Sequence, residues 1–224
     1  MYALSADILC QAAQRWIMSG QSHWDRVYGA REEEALTWFE AEAKLSLELA
    51  RNLTTPDQAV IDVGGGASRF VDGLLARGQA RIAVLDLAAE ALRAAQERIG
   101  AAAEQVTWIA ADVTRWQPDQ TWDLWHDRAV FHFLTEPDQR AAYFKAMEKA
   151  LAPGGAAVIT AFALDGPETC SQLPVQRWSA EVLAAEADRC APGLLTLTDR
   201  KRHVHVTPKG NRQPFEVSIF RRQN

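Results

Sequence analysis

No apolar run in the 224 residues approaches the roughly 20 that a membrane-spanning helix requires. The most apolar stretch of the N-terminus carries Asp7 and has no basic region before it, which argues against a secretory signal. Cysteine is scarce. Cys10, Cys170 and Cys190 are odd in number and lack metal-ligand spacing, so neither a disulfide framework nor a zinc site is indicated. A reduced, cytoplasmic setting is the simplest inference. No internal repeat and no low-complexity tract is present. The H-x-E and C-x-x-C zinc patterns and the G-K-[ST] of a phosphate-cradling loop are missing too. What is present is ordinary for a soluble globular chain: 48% hydrophobic and 24% charged residues, at a length that suits one domain.

The net charge of −5 is unevenly spread. Residues 199–224 hold seven Lys/Arg against Asp199 and Glu216, which makes that segment +5 and the rest −10. A basic end suits an acidic partner, or else a pair of solvated edge strands. The acidity of the rest argues against a nucleic-acid partner.

Periodicity sets out the elements. A first helix is expected at residues 5–18, broken at Ser19–Ser22. A second is expected from about Glu32 to Arg51, because Leu36, Phe39, Ala43, Leu47 and Ala50 form one apolar stripe. Strands and helices then alternate. Strands are predicted at Ala59–Val63, Arg81–Asp86, Gln105–Ala110, Thr121–His126 and Ala156–Ala163. Helices are predicted at Ser68–Arg77, Ala88–Ile99, from Thr135 to Leu151 with Thr135 and Asp138 as a capping box, and at Ser179–Asp188. Leu194–Arg202 and Phe215–Arg221 close the chain as strands joined by a loop from Val204 to Pro214. This alternation predicts an α/β fold: a Rossmann-like, mostly parallel sheet of seven strands, helices on both faces, and an antiparallel last strand.

The strongest local signal is Val60-Ile61-Asp62-Val63-Gly64-Gly65-Gly66-Ala67-Ser68, a buried strand running into a glycine turn that opens a helix. Such a turn lets a backbone approach a ligand closely. A dinucleotide fold wants a further glycine three residues after Gly66, for tight packing of helix on strand. Arg69 stands there instead. Asp86 ends the next strand, 20 residues after Gly66, the spacing at which a carboxylate accepts from ribose hydroxyls. Asp112 follows the third strand and suits an adenine amino group. All three features, the glycine turn, Asp86 and Asp112, fall at carboxyl ends of neighbouring strands, where open α/β sheets bind ligands.

These motifs, in this order, resemble a class I S-adenosylmethionine-dependent methyltransferase. VIDVGGGAS resembles the family's first motif, Val84-Leu85-Asp86 its ribose-binding strand end, and Ala111-Asp112-Val113 its adenine motif. Trp122–Arg128 resembles its fourth strand, and Leu151-Ala152-Pro153-Gly154-Gly155 the turn before its fifth. The segments around Trp24–Tyr28 and Trp38 resemble those of a bacterial subgroup of small methyltransferases. The resemblance implies S-adenosylmethionine as cofactor, with S-adenosylhomocysteine as product. It implies a cofactor site of Trp24, Tyr28, Trp38, Asp62, Gly64, Gly65, Gly66, Asp86, Leu87, Asp112, Val113 and His126. It further implies that residues 1–56 cover cofactor and acceptor, and that residues 57–224 form the methyltransferase domain.

Methyl transfer is an in-line displacement, so the enzyme mainly orients the acceptor. A base is needed only for an acceptor that loses a proton. His126, Asp127 and Tyr28 are the catalytic candidates, with His132 a further histidine nearby. Nothing adjacent in sequence activates Cys170. A small-molecule acceptor is favoured. A protein side chain, a non-catalytic adenosylmethionine binder and a dinucleotide oxidoreductase are the alternatives.

Overall fold

The computed structural model describes residues 23–28 and 33–224. The helix expected at residues 5–18 and its break lie outside them. In chain order the strands are β1 (Ala59–Val63), β2 (Arg81–Asp86), β3 (Val106–Ala110), β4 (Trp122–Arg128), β5 (Leu151–Phe162), β6 (Thr169–Cys170), β7 (Leu173–Pro174), β8 (Leu195–Val206) and β9 (Arg212–Arg222). The helices are α1 (Lys44–Leu53), α2 (Phe70–Ala76), α3 (Ala89–Ile99), α4 (Pro137–Ala150) and α5 (Ala180–Cys190), and residues 23–28 are also helical.

Seven strands form one sheet in the order β3-β2-β1-β4-β5-β9-β8, while β6 and β7 pair as a separate hairpin. β9 runs antiparallel to both its neighbours, β5 and β8; the pairings among the other five strands are parallel. This is the predicted Rossmann-like sheet. Its chain order reverses between β1 and β4, and in such sheets the carboxyl ends at the reversal leave a crevice.

All five residues of β1 are buried, and they alternate between two cores. Ala59, Ile61 and Val63 join Trp125, Phe131, Tyr143, Phe144 and Trp178 under α4 and α5. Val60 joins Leu47, Ala50, Phe70, Leu74, Ile82 and Leu124 under α1 and α2. Burial on both faces is why β1 reads as an unbroken apolar run apart from Asp62.

Three expectations need correction. The helix placed from Glu32 to Arg51 begins only at Lys44, after a short 3-10 turn at Glu33–Ala35. Leu36, Ala43, Leu47 and Ala50 are buried as the stripe requires. However, the carbonyls of Thr37 and Trp38, which a helix would use internally, face the side chains of His205 and Arg128. The capping box of α4 lies one residue later than Thr135 and Asp138: Glu136 is the N-cap and Gln139 reciprocates, with Pro137 in the first turn. The closing strands are also longer than expected, since β8 runs to Val206 and β9 starts at Arg212.

The basic end is consumed internally. Arg200 meets Glu181, Lys201 meets Glu48, and Arg202 meets Asp165. Arg221 and Arg222 donate to the carbonyls of Gly154 and Glu148. Five of the seven cations are therefore tied to neighbouring elements, which fits solvated edge strands rather than a free basic patch.

Candidate active site

A cavity, open to solvent, lies at the carboxyl ends of β1, β2 and β4. Its floor is the glycine turn. The chain leaves β1 through Gly64 at φ +71°, where an added Cβ would run into the Val130 side chain. Gly66 sits at φ +43°, and a Cβ there would meet Tyr28 Oη at 2.7 Å and Asp86 Oδ2 at 2.9 Å. Gly65 has no room for a side chain either, because Asp62 Oδ2 and Val84 each lie 2.6 Å from its Cβ position. Three glycines in a row thus fit one turn pressed between a carboxylate wall and a neighbouring loop.

The acids line up along the sheet edge. Asp62, Asp86 and Asp112 all line the cavity, with Leu87 and Val113 beside them. One oxygen of Asp86 accepts from the Ala88 N–H at 2.8 Å. Burial, with the Asp62 charge adding to it, pushes its pKa up to about 7. Asp112 spends Oδ1 on Thr114, whereas its buried Oδ2 has no partner among the described residues. A buried acceptor without a donor is costly and marks a place that a ligand N–H satisfies.

The roof is aromatic. Trp24, Tyr28 and Trp38 line the cavity together with Phe133. Trp24 packs edge-on to Trp38 at 5.8 Å and to Phe133 at 5.2 Å, and Tyr28 lies 5.9 Å from Trp38. Burial and the Asp86 charge hold the Tyr28 phenol well above its usual pKa, although the Trp38 indole N–H donates to it. It is a neutral hydroxyl, poorly suited to act as a base.

Two catalytic candidates do not reach the cavity surface. His126 is 2% exposed, and both its ring nitrogens are engaged, by Asp62 Oδ1 at 2.7 Å and by Ser46 Oγ at 2.9 Å. It braces Asp62 from below and has no nitrogen free to take a substrate proton. Asp127 is fully buried and accepts from the Tyr143 hydroxyl and the N–H groups of Val130 and Phe131. These bonds hold the turn in which Ala129 takes the left-handed φ of +71°. Burial raises the Asp127 pKa to about 6, despite those donors. Sequence proximity to the end of β4 suggested a role in proton transfer. The alternation of the strand instead sends His126 to one core and Asp127 to the other. His132 is buried as well, and burial holds it neutral with a pKa of about 3.

Sequence reasoning missed several wall residues: Arg128, Ala129, Val130, Phe133 and Leu134. Cys170 also lines the cavity, and burial raises its thiol to about 11, so it is no thiolate. Among the described residues no group of three or more His, Cys, Asp or Glu is arranged to hold a metal ion.

Comparison with known proteins agrees with this geometry. Residues 60–155 match a family described as a methyltransferase domain. That segment, from β1 into the start of β5, is similar to methyltransferase domains. It is 30% identical over 136 residues to thiocyanate methyltransferase 1 of Arabidopsis thaliana, covering 59% of this chain and 57% of that protein. It is 28% identical over 178 residues to trans-aconitate 2-methyltransferase of an Azoarcus species, covering 70% and 68%. The chain thus spans little more than half the length of the first of these relatives. Its fold is similar to that of 1,6-didemethyltoxoflavin-N1-methyltransferase of Burkholderia thailandensis, solved with its substrate and S-adenosylhomocysteine. That match has a TM-score of 0.67 at 19% identity and covers all of this chain and 93% of the other.

Proposed function

We propose that this protein is an S-adenosylmethionine-dependent methyltransferase that acts on a small-molecule acceptor. One arrangement carries the reading: three carboxylates in chain order along a sheet edge, facing a glycine turn that admits no side chain. Asp86 is suited to the ribose hydroxyls, and the unpartnered Oδ2 of Asp112 to the adenine amino group. The turn from Gly64 to Gly66 would lie against the methionyl portion, and His126 supports the site only through Asp62. When bound, the cofactor supplies an electrophilic methyl group on a sulfonium.

The described residues do the rest by positioning. The aromatic roof of Trp24, Tyr28 and Trp38 would shield the bound cofactor from water and offer aromatic surface to its sulfonium, a contact worth about 2 kcal/mol when desolvated. No imidazole lines the cavity among the described residues, and its only carboxylates are Asp62, Asp86 and Asp112. The remaining wall, Arg128 to Val130, Phe133 and Leu134 with Cys170, is left for the acceptor. The named substrates of the relatives, thiocyanate and trans-aconitate, support an acceptor of that scale.

In this reading residues 1–56 cover the site and residues 57–224 form the catalytic domain, working in the cytoplasm. No helix among the described residues is long and apolar enough to cross a membrane. Thermal shift against S-adenosylmethionine, S-adenosylhomocysteine, NAD and NADP tests the cofactor. Stabilisation by the first two alone is expected, and stabilisation by a nicotinamide dinucleotide instead would overturn it. A small-molecule acceptor panel with labelled methyl donor then tests the acceptor.

A further inference from the structure

We infer that His205 and Arg128 are positioning residues that clasp the main chain of residues 37–40 and thereby hold Trp38 in the cavity wall. The inference rests on the reading of this cavity as the methyl donor's site. Neither residue belongs to the motifs of the glycine turn or its acidic strand ends.

The grip is on main-chain oxygens and one carboxylate. Arg128, at the end of β4, donates to the Trp38 carbonyl at 3.2 Å and to Glu40 Oε1 at 2.8 Å. His205, near the end of β8, faces the Thr37 carbonyl with Nε2 at 2.8 Å and Glu40 Oε1 with Nδ1 at 3.2 Å. Strands from two places in the sheet thus converge on one short segment. Because the backbone itself is held, the position of Trp38 is set from behind, independently of its ring contacts with Trp24 and Tyr28.

The chemistry of the His205 partners fixes its state. A carbonyl and a carboxylate only accept, so a ring that donates to both must carry protons on both nitrogens. The neutral ring would turn a lone pair against one of the oxygens at 3% exposure. The surrounding charges are Arg128 and Glu40, with His203 3.9 Å from the same Glu40 oxygen. Burial pushes the Glu40 carboxyl up, yet the His205 hydrogen bond and Arg128 outweigh it and leave the group below its usual range. On the adjacent β9, Glu216 is occupied by Arg202, which also meets Asp165. Burial holds His203 below the ordinary histidine range.

The same segment is fastened at its other end. Glu33 meets Arg69 at 3.0 Å and Arg98 at 3.3 Å. Residues 33–40 are therefore pinned at both ends with Trp38 between the pins. The clasp is a docked wall rather than a flap that closes on ligand.

Three full-length variants test this: His205→Ala, His205→Gln and Glu40→Gln. Calorimetry with S-adenosylhomocysteine and hydrogen exchange of the apo proteins supply the readouts. His205→Ala should weaken binding at least tenfold and speed exchange of residues 36–40, while β1 to β5 keep their protection. His205→Gln should recover part of both, since its amide still donates to the Thr37 carbonyl. Binding and exchange that match the wild type in His205→Ala, or, where that variant fails to fold, in both other variants, overturn the clasp. A wild type that does not bind S-adenosylhomocysteine overturns the cofactor reading instead, and the exchange measurement still decides the clasp.

Discussion

Asp86 offers the sharpest test, because its two states pull stability and binding in opposite directions. Burial raises its pKa to about 7 in the ligand-free protein. A ribose diol donates two hydrogen bonds, which favours the ionised carboxylate. Binding at pH 6 therefore has to remove a proton that is absent at pH 8. Each unit below about 7 costs roughly 1.4 kcal/mol, or tenfold in affinity, until the pKa of the bound state is reached. Affinity for S-adenosylhomocysteine should accordingly weaken about tenfold between pH 8 and pH 6. The relevant quantity is the wild-type dissociation constant divided by that of Asp86→Asn, since the ratio cancels the titration of other groups. At pH 8 the variant should bind about 1–3 kcal/mol more weakly. A ratio that does not move with pH would refute the role of Asp86.

The stability of the apo protein should run the other way. A raised folded-state pKa contributes stability that is complete below the unfolded value near 4 and is lost as pH rises through about 7. The shift of about three units corresponds to roughly 4 kcal/mol at pH 8, as an upper figure. Asp86→Asn should therefore melt several degrees above the wild type at pH 8, with a smaller advantage at pH 5. A variant that loses the ligand but gains stability identifies a residue retained for binding rather than for folding.

Other outcomes follow from the same geometry. Gly66→Val should abolish stabilisation by S-adenosylhomocysteine in thermal shift, because its Cβ displaces Tyr28 and Asp86 from a turn already at positive φ. Asp112→Ala should weaken cofactor binding by about 1–2 kcal/mol in calorimetry and also lower apo melting by a few degrees, since it removes the Oδ1 acceptor of the Thr114 N–H and hydroxyl. Asp127→Asn should destabilise the fold by about 2 kcal/mol in urea and leave kcat of the folded enzyme within a few fold, as expected of a residue that shapes the Ala129 turn. A hundredfold loss of kcat with unchanged stability would instead restore Asp127 to the chemistry.

The central strand β1 was legible because it is buried on both faces and runs into glycine. A run such as Val60 to Gly66 can hardly be anything else, and its order with Asp86 and Asp112 points to one kind of ligand. The catalytic candidates were not legible. At the end of β4, residues 126 and 127 differ by a half-period of the pleat, which sends one to Asp62 and the other to Tyr143. Composition gives no hint of which faces solvent. The clasp was equally hidden: Glu40 and His205 are 165 residues apart and meet only because β8 folds to the sheet edge beside β9. The apolar stripe from Leu36 to Ala50 misled for a related reason. It correctly marked buried positions, but the side chains of Arg128 and His205 compete for the carbonyls that a helix would have needed.

Arg69 connects these points. In a dinucleotide fold its place belongs to a glycine, which brings the helix tight against the strand. Here Arg69 is the residue before α2, and its guanidinium reaches outward to Glu33 and lies 5.3 Å from the Phe39 ring. The helix side of the turn is thus used to fasten a wall over the cavity instead of closing around a diphosphate. That choice suits a ligand with a single nucleoside and a charged methionyl end, which needs covering there more than it needs phosphate contacts. Arg69→Gly, the change that restores the glycine pattern, should therefore create no affinity for NAD. It should loosen residues 33–40 in hydrogen exchange and weaken S-adenosylhomocysteine several-fold. If NAD were to stabilise the variant instead, the turn would be a dinucleotide site in which Arg69 is only an obstruction, and the covering role assigned to it would be wrong.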